Sequence, residues 1–364
     1  MFTINNSESV TVLQISLLGI TFITINTHVF ITPSLIQTAG KDGWISVIIA
    51  FVIIMIWFFL LMSIHKRTSQ HNLFMWLREK NHRNFFALLG AIVVFFLAIM
   101  GGVTLRETIT WANLTFLPDT PKFIIAIFFG FACIYMAKSN LQTICTINLF
   151  LLLFIALLGF FVAIANDEYK NYGLLLPMFE NGFLPVIKGV IYPISAMFEL
   201  FLLILLQHRV QTRFRYYHFT ILAVILTMLT LGTLTGAITE FGSTEAARQR
   251  FPSYEEWGLA SIGHFIEHLN FLSIYQWLSG AFIRTTVFLY LIREIFPKIK
   301  WLPVSVLAFI EIFALIPISD IQYSQFFKKV LIPFTGLFFL IISFVIFITL
   351  LFKSVEEREE KNRS

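Results

Sequence analysis

Ten apolar stretches run through this chain, and two of them are interrupted in matching places. The first carries Thr24, Asn26, Thr27, His28 and Pro33, and the sixth carries Lys188, Gly189, Pro193 and Ser195. Each opens one half of a chain that divides into five stretches plus five. Non-helical backbone survives in a bilayer only where it is buried in protein or lines a cavity, because lipid offers no hydrogen bonds. Interrupted hydrophobic segments at corresponding positions therefore point to a small-ligand site near the bilayer midplane.

Charged residues make up 13% of the chain, hydrophobic residues 57%, and the mean hydropathy is +0.81. A soluble surface needs about twice that charge. The chain is expected to be one polytopic, all-α integral membrane domain over residues 1–353, with a charged cytoplasmic tail at 354–364. Spans are placed at about 11–36, 44–64, 84–108, 123–138, 142–165, 183–207, 216–240, 267–292, 301–318 and 329–352. The halves, about 11–165 and 183–352, each hold five spans. Dyad alternation, the mark of a membrane barrel, is absent from these runs.

Lysine and arginine favour the side that holds 65–83, 208–215, 293–300 and the tail. By the positive-inside rule that side is the cytoplasm, and both termini lie there. No cleavable signal peptide is expected, since Glu8 and no basic residue precede the first stretch. Cys133 and Cys145 both fall in apolar stretches, which argues against a disulfide framework. The basic balance, with no basic patch interleaved with exposed aromatics, argues against nucleic acid as a partner.

Two connections are long. Residues 65–83 form a basic amphipathic stretch with Leu73, Phe74, Trp76 and Leu77, expected to lie on the inner membrane surface. Residues 241–266 hold Pro252-Ser253-Tyr254-Glu255-Glu256-Trp257, followed by an expected short helix over Ser261–Leu269.

Several short motifs recur in a distinctive order. Ala39-Gly40-Lys41-Asp42-Gly43-Trp44 follows the first stretch, and Leu117-Pro118-Asp119-Thr120-Pro121 precedes the fourth. Leu176-Pro177-Met178-Phe179-Glu180-Asn181-Gly182 leads into the sixth. Phe251-Pro252-Ser253-Tyr254-Glu255 and Ser261-Ile262-Gly263-His264-Phe265-Ile266-Glu267 precede the eighth. In this order and spacing the chain resembles the B subunit of spore germination nutrient receptors, within the amino acid/polyamine/organocation transporter superfamily. The resemblance covers roughly residues 10–350.

That resemblance implies a five-plus-five inverted repeat whose first and sixth helices unwind around a nutrient germinant, commonly an amino acid. It implies an A subunit and a lipoprotein C subunit as partners, in the inner membrane of a bacterial endospore. It also implies that the third span walls the pocket, where Phe96 and Met100 are the best matches. There are two departures. Residues 20–38 contain no glycine, and His264 and His268 stand where an Asp and an Arg are common.

Read from the residues, the N–H end of a broken helix suits a carboxylate, and the C=O end suits an ammonium or a cation. The candidates there are Thr24, Asn26, Thr27, His28, Tyr192, Ser195 and Phe198. A proline kink with hydroxyls bonded back to the preceding turn is the plainer alternative. Glu199 and Arg284 sit deep in spans, where an unpaired charge costs about 3 kcal/mol or more. Glu199 either binds a ligand amine or relays a proton, or it forms a structural ion pair with Arg284. Which carboxylate partners Arg284 stays open, since Glu311 is similarly deep. Gly101, Gly102 and Thr104 give the third span either room for ligand or close helix packing. Tyr275, Trp277 and Thr285 in the eighth span either close the pocket or fill space between helices.

No cofactor is expected, and no metal is assigned, because His28 has no second ligand at metal spacing. No nucleophile elbow, phosphate loop or zincin helix marks an enzyme. The expected function is a membrane subunit that binds a small nutrient and triggers germination. A secondary amino-acid permease coupled to H+ or Na+ is the alternative, and a structural subunit with an empty pocket is a third class.

Overall fold

The computed structural model describes residues 9–80, 83–261 and 269–363. The first half runs through α1 (Val12–Ile25), α2 (Thr32–Ala39), α3 (Gly43–Thr68), α4 (Leu73–Lys80), α5 (Arg83–Thr115), α6 (Lys122–Ala137) and α7 (Leu141–Ala165). The second runs through α8 (Leu184–Gly189), α9 (Ile191–Met197), α10 (Phe201–Leu205), α11 (Tyr216–Ala246) and α12 (Pro252–Leu259). It ends with α13 (Ser273–Ile295), α14 (Leu302–Leu315), α15 (Asp320–Phe326) and α16 (Ile332–Arg363). Among the described residues, β pairing is confined to one isolated parallel bridge, Val10 to Val210.

Local chemistry sets the boundaries. Thr11 opens α1 with a capping box, its hydroxyl accepting from Gln14 N–H at 3.2 Å while the Gln14 side chain accepts from Thr11 N–H at 2.9 Å. Asn140 caps α7 by accepting from Thr143 N–H at 2.8 Å. Gly242, at φ +78, lets α11 turn a kink that a β-carbon would strain, so the helix continues to Ala246.

Among the described residues, seven segments are long and apolar enough to cross a membrane: Val12–Phe30, Thr32–Thr68, Asn84–Thr115, Leu141–Ala165, Leu184–Leu205, Tyr216–Ala246 and Asp320–Leu351. The protein is therefore an all-helical integral membrane protein. Three of the ten expected stretches fall short on these criteria, for different reasons. α6 and α14 are apolar but short, the first bounded by Pro121 and Asn140, the second by Pro303 and Pro317. α13 has 23 residues, about 34 Å of helix at the standard rise, but is too polar. Its Ser279, Arg284, Thr285 and Thr286 are buried against other helices.

The two ends of the burial range locate the centre. The sixth stretch, Leu184–Leu205, is mostly buried, whereas α7 buries only Leu141, Ile144, Cys145, Asn148 and Val162. α7 exposes Phe150, Leu153, Leu157 and Phe160, an apolar surface suited to lipid. Close packing at the centre uses Gly189, where a β-carbon would stand 2.6 Å from Ser46 Oγ and 2.9 Å from Ala39 Cβ.

One expectation is corrected here. α4 does not lay its apolar face on lipid, because Leu73, Phe74 and Leu77 are buried and α4 packs on α5. Arg78 stands over the Phe296 ring at 4.8 Å and donates to the Ile295 carbonyl, which fastens α4 to the end of α13. The helix expected over Ser261–Leu269, with His264 and His268, lies outside the described residues apart from its two ends.

Candidate functional site

The first broken helix does not unwind. Residues Asn26–Phe30 form a π turn, closed by Ile31 N–H donating to Asn26 O at 3.1 Å. With no glycine in residues 20–38, left-handed backbone is costly, so one turn widens while Asn26 keeps φ −70 and ψ −47. This corrects the expectation of an unwound first helix. Asn26 N–H bonds back only three residues, to Ile23 O, which leaves the Phe22 carbonyl free for a side-chain donor. Thr32 Oγ donates to Thr27 O at 3.3 Å and His28 O at 2.8 Å, and Ser253 Oγ of α12 donates to His28 O at 2.9 Å.

The sixth stretch breaks the other way. After α9, Phe198–Leu200 tighten into a 3-10 turn before α10 begins. That turn carries Glu199, which is 1% exposed beside the fully buried Arg284. Arg284 Nη1 donates to Glu199 Oε2 at 2.5 Å, and Nη2 donates to Oε1 at 2.8 Å. Asn26 Nδ2 donates to the same Oε1 at 2.7 Å. Arg284 also donates to Phe22 O at 2.8 Å and, through Nε, to Thr104 Oγ at 3.1 Å. Its guanidinium stands over the Phe288 ring at 4.7 Å.

One charge pair therefore joins both breaks to α5 and α13. The partner of Arg284 is Glu199. Glu311 instead lies against Gly130 of α6, where a β-carbon would be 2.2 Å from its Oε1. A bidentate, fully hydrogen-bonded pair is the form in which two charges are tolerated in a dry interior.

The other sequence-predicted residues divide by position. Thr27 lies in the π turn, its hydroxyl bonded to Thr24 O at 3.1 Å and close to His28 Nδ1 at 3.1 Å. The Thr24 and Thr285 hydroxyls are buried without a partner. Tyr192 reaches Thr38 Oγ of α2 at 3.1 Å. Ser195 donates to Ile191 O at 2.6 Å, the back-bonded hydroxyl of the plainer reading, and abuts Gly336 of α16. Phe198 packs on Trp57 of α3, centroids 4.6 Å apart. Phe96 stacks on Phe338 at 3.9 Å, and Met100 Sδ accepts from Thr335 Oγ at 3.5 Å, so both face α16. Tyr275 donates to Leu151 O of α7 at 3.4 Å. Gly101 and Gly102 admit Ile310 and Phe313 of α14 into close contact.

Trp277 belongs to a cluster over the π turn. It stacks on Trp111 at 4.5 Å with planes 4° apart, meets Phe30 and Phe251 edge-on, and donates to Thr108 Oγ at 3.2 Å. Beyond it lies an ionic strap, with Arg250 bridging Glu107 at 3.6 Å and Asp320 at 3.1 Å. Arg106 holds the carbonyls of Ile316 and Ile318 at 2.7 and 2.8 Å. The sequence reading missed Trp111, Thr108 and Phe30. Thr108 was within reach of it, because 96, 100, 104 and 108 recur every four residues on one face of α5.

Apolar recesses open between helices. One, about 430 Å³, runs between α3, α9 and α16 and is lined by Trp57, Ile194, Phe198 and Gly336. Another, about 350 Å³, lies between α5 and α14.

Comparison with known proteins places this geometry in a biological setting. The family model described as spore germination protein matches residues 3–322. Spore germination protein XB of Bacillus anthracis is 39% identical over 343 residues, covering 92% of this chain and 96% of that protein. Putative spore germination protein YfkT of Bacillus subtilis (strain 168) is 24% identical over 266 residues, 71% of each chain. With a family model spanning most of its length and a relative this similar from end to end, the chain belongs to the spore germination protein family.

Proposed function

We propose that this protein is the B subunit of a spore nutrient-germinant receptor, and that it binds a small nutrient, an amino acid, between the two breaks. The observation that carries the reading is the buried Glu199–Arg284 pair, held at 2.5 and 2.8 Å and joined to the first break by Asn26. An amino-acid zwitterion offers the same two charges in reverse. Its carboxylate matches Arg284 and its ammonium matches Glu199, so a ligand exchanges one internal pair for two new ones. Neither buried charge is stranded, which keeps the exchange accessible. Entry parts the first break from the sixth and turns occupancy into a change of helix packing. The ligand drives that change only by binding the parted arrangement more tightly.

In this reading the seven long helices, α6, α13 and α14 make up ten spans in a five-plus-five inverted repeat. Both termini face the cytoplasm of the spore, and the repeat sits in its inner membrane. The A subunit and the lipoprotein C subunit receive the change and pass it on to release of ions and spore solutes. Membership in the family supports this setting.

Dipicolinate release from spores lacking the gene, scored against a panel of amino acids, sugars and nucleosides, tests the proposal. The expected result is loss of the response to one amino acid, restored by the wild-type gene. Asn26→Ala, present at normal abundance by immunoblot, loses a link that entry must break and should respond at a lower concentration of that amino acid. An unchanged response to every nutrient would sink the receptor reading. Concentrative uptake by the isolated chain in liposomes, coupled to H+ or Na+ and needing no partner, would replace it with a permease.

A further inference from the structure

A second polar cluster lies well away from the charge pair, where α12 packs on the ends of α7 and α11. Glu240 sits one helical turn after Gly236 on α11. Glu256 of α12 lays its carboxylate over Gly236, where a β-carbon would be 3.3 Å from each of its oxygens. The two carboxylates thus share one face of α11. Asn166, at the end of α7, donates Nδ2 to Glu240 Oε2 at 3.1 Å and to the Glu256 main-chain oxygen at 2.7 Å.

Those two bonds fix the amide orientation, so Asn166 Oδ1 is an acceptor within the cluster. It has no donor, and neither has Glu256 Oε1. Asn166 is 0% exposed and Glu256 6%. A buried acceptor left without a donor is costly, and both of these lack one. Lys170 faces both carboxylates, but its ammonium donates to the Ala163 carbonyl. Burial, with the Glu240 carboxylate adding to it, pushes the Glu256 carboxyl well above the usual carboxylate range.

Carboxylate and amide oxygens without nitrogen or sulfur suit a hard cation, and flexible carboxylates from separate elements suit calcium better than magnesium. We propose that Glu240, Glu256 and Asn166 Oδ1 form a binding site for a divalent cation of the calcium class, which ties α12 to α7 and α11. The consequence reaches the breaks. α12 donates Ser253 to the π turn at His28 O, and Phe251 just before it packs on Trp277. The proposal does not depend on the ligand read above.

Thermal unfolding of the full chain in detergent, followed by tryptophan fluorescence with CaCl2, MgCl2 or NaCl, tests it. Millimolar CaCl2 at pH 7.5 should raise the melting temperature by several degrees, and MgCl2 or NaCl by much less. The effect should shrink at pH 5.5, where protons compete for Glu256. Glu240→Gln and Glu256→Gln should each melt cooperatively and lose the calcium shift. Equilibrium dialysis of radioactive calcium against wild-type protein supplies a readout that needs no variant, with one ion per chain expected. No calcium shift and no bound calcium in wild type would overturn the site. So would an equal shift in both variants. Without calcium the folded chain keeps a proton on Glu256 that the unfolded chain has released, so stability falls as pH rises above the ordinary carboxylate value. If that fall is present and calcium does not offset it, the pair holds a shared proton and the cation site is wrong.

Discussion

At Asn26–Phe30 the first broken helix widens to a π turn, whereas at Phe198–Leu200 the sixth tightens to a 3-10 turn. Widening releases backbone acceptors, and side chains from elsewhere meet them: Arg284 at Phe22 O, Thr32 and Ser253 at His28 O. Tightening keeps the backbone bonds local, with Phe198 N–H on Ile194 O and Phe201 N–H on Phe198 O. What the sixth break contributes instead is a charge. The first break is held by groups that can let go one at a time, and the sixth is held by its own turns and by packing. On the proposed reading, a ligand would therefore rearrange the first break, with the sixth as the fixed wall.

Four variants test this contrast. Glu199→Ala strands Arg284 and removes the link between the breaks, at a cost of about 3–5 kcal/mol. Urea or thermal unfolding in detergent should show the largest loss of the set, and a loss below that of Asn26→Ala would contradict a shared node. Asn26→Ala deletes the hydrogen bond from the first break to a charged acceptor and should cost about 1.5–3 kcal/mol. In hydrogen exchange it should speed the amides of residues 26–31 and leave 198–203 protected. Equal acceleration at both breaks would erase the distinction between them.

Gly336→Ala acts on the sixth break alone. A β-carbon there would stand 2.5 Å from Ser195 Oγ and 3.3 Å from Ser195 Cα, and overpacking of this kind costs about 1–3 kcal/mol. Exchange should rise around residues 195–200 and not in the π turn. Thr32→Val removes one hydroxyl cap and should cost about 1 kcal/mol. Its exchange signature should be confined to residues 27–32, and silence there would mean that backbone geometry, rather than the capping side chains, holds the turn.

Much of this was legible in the apolar pattern. The interruption at Asn26 stands at the π turn, because polar residues inside a span must find partners within the protein. Lys188, Gly189, Pro193 and Ser195, which marked the sixth stretch, lie in α8 and α9, ahead of the 3-10 turn at Phe198–Leu200. The form of each break was not legible. Thr, Asn and Pro disrupt a helix in either direction, and whether a turn widens or tightens depends on the neighbours that cap it. The partner of Arg284 was equally hidden, since Glu199 and Glu311 lie at similar depth and packing alone separates them. Phe96 and Met100 sit on the face of α5 that also carries Thr104 and Thr108. One end of that stripe meets α16, and the other meets Arg284 and Trp277. A periodic face gives direction around a helix and says nothing of which neighbour stands at each height.

The bridge between Val10 and Val210 has a mechanical consequence. Val10 N–H donates to Arg209 O and Gln211 N–H donates to Val10 O, both at 2.9 Å, so the start of the first helix is stitched to the end of the sixth. The second fastening, from Asn26 to Glu199, lies about 24 Å further along the first helix at the standard rise. Two rods joined at one end cannot slide past each other. They can only splay like tongs, with the stitch as pivot. Undoing the links at Glu199, from Asn26 and through Arg284 to the Phe22 carbonyl, would therefore leave one angular motion whose reach grows with distance from the pivot. The aromatic cluster of Trp111, Trp277 and Phe251 stands beyond the link, where the jaws travel furthest.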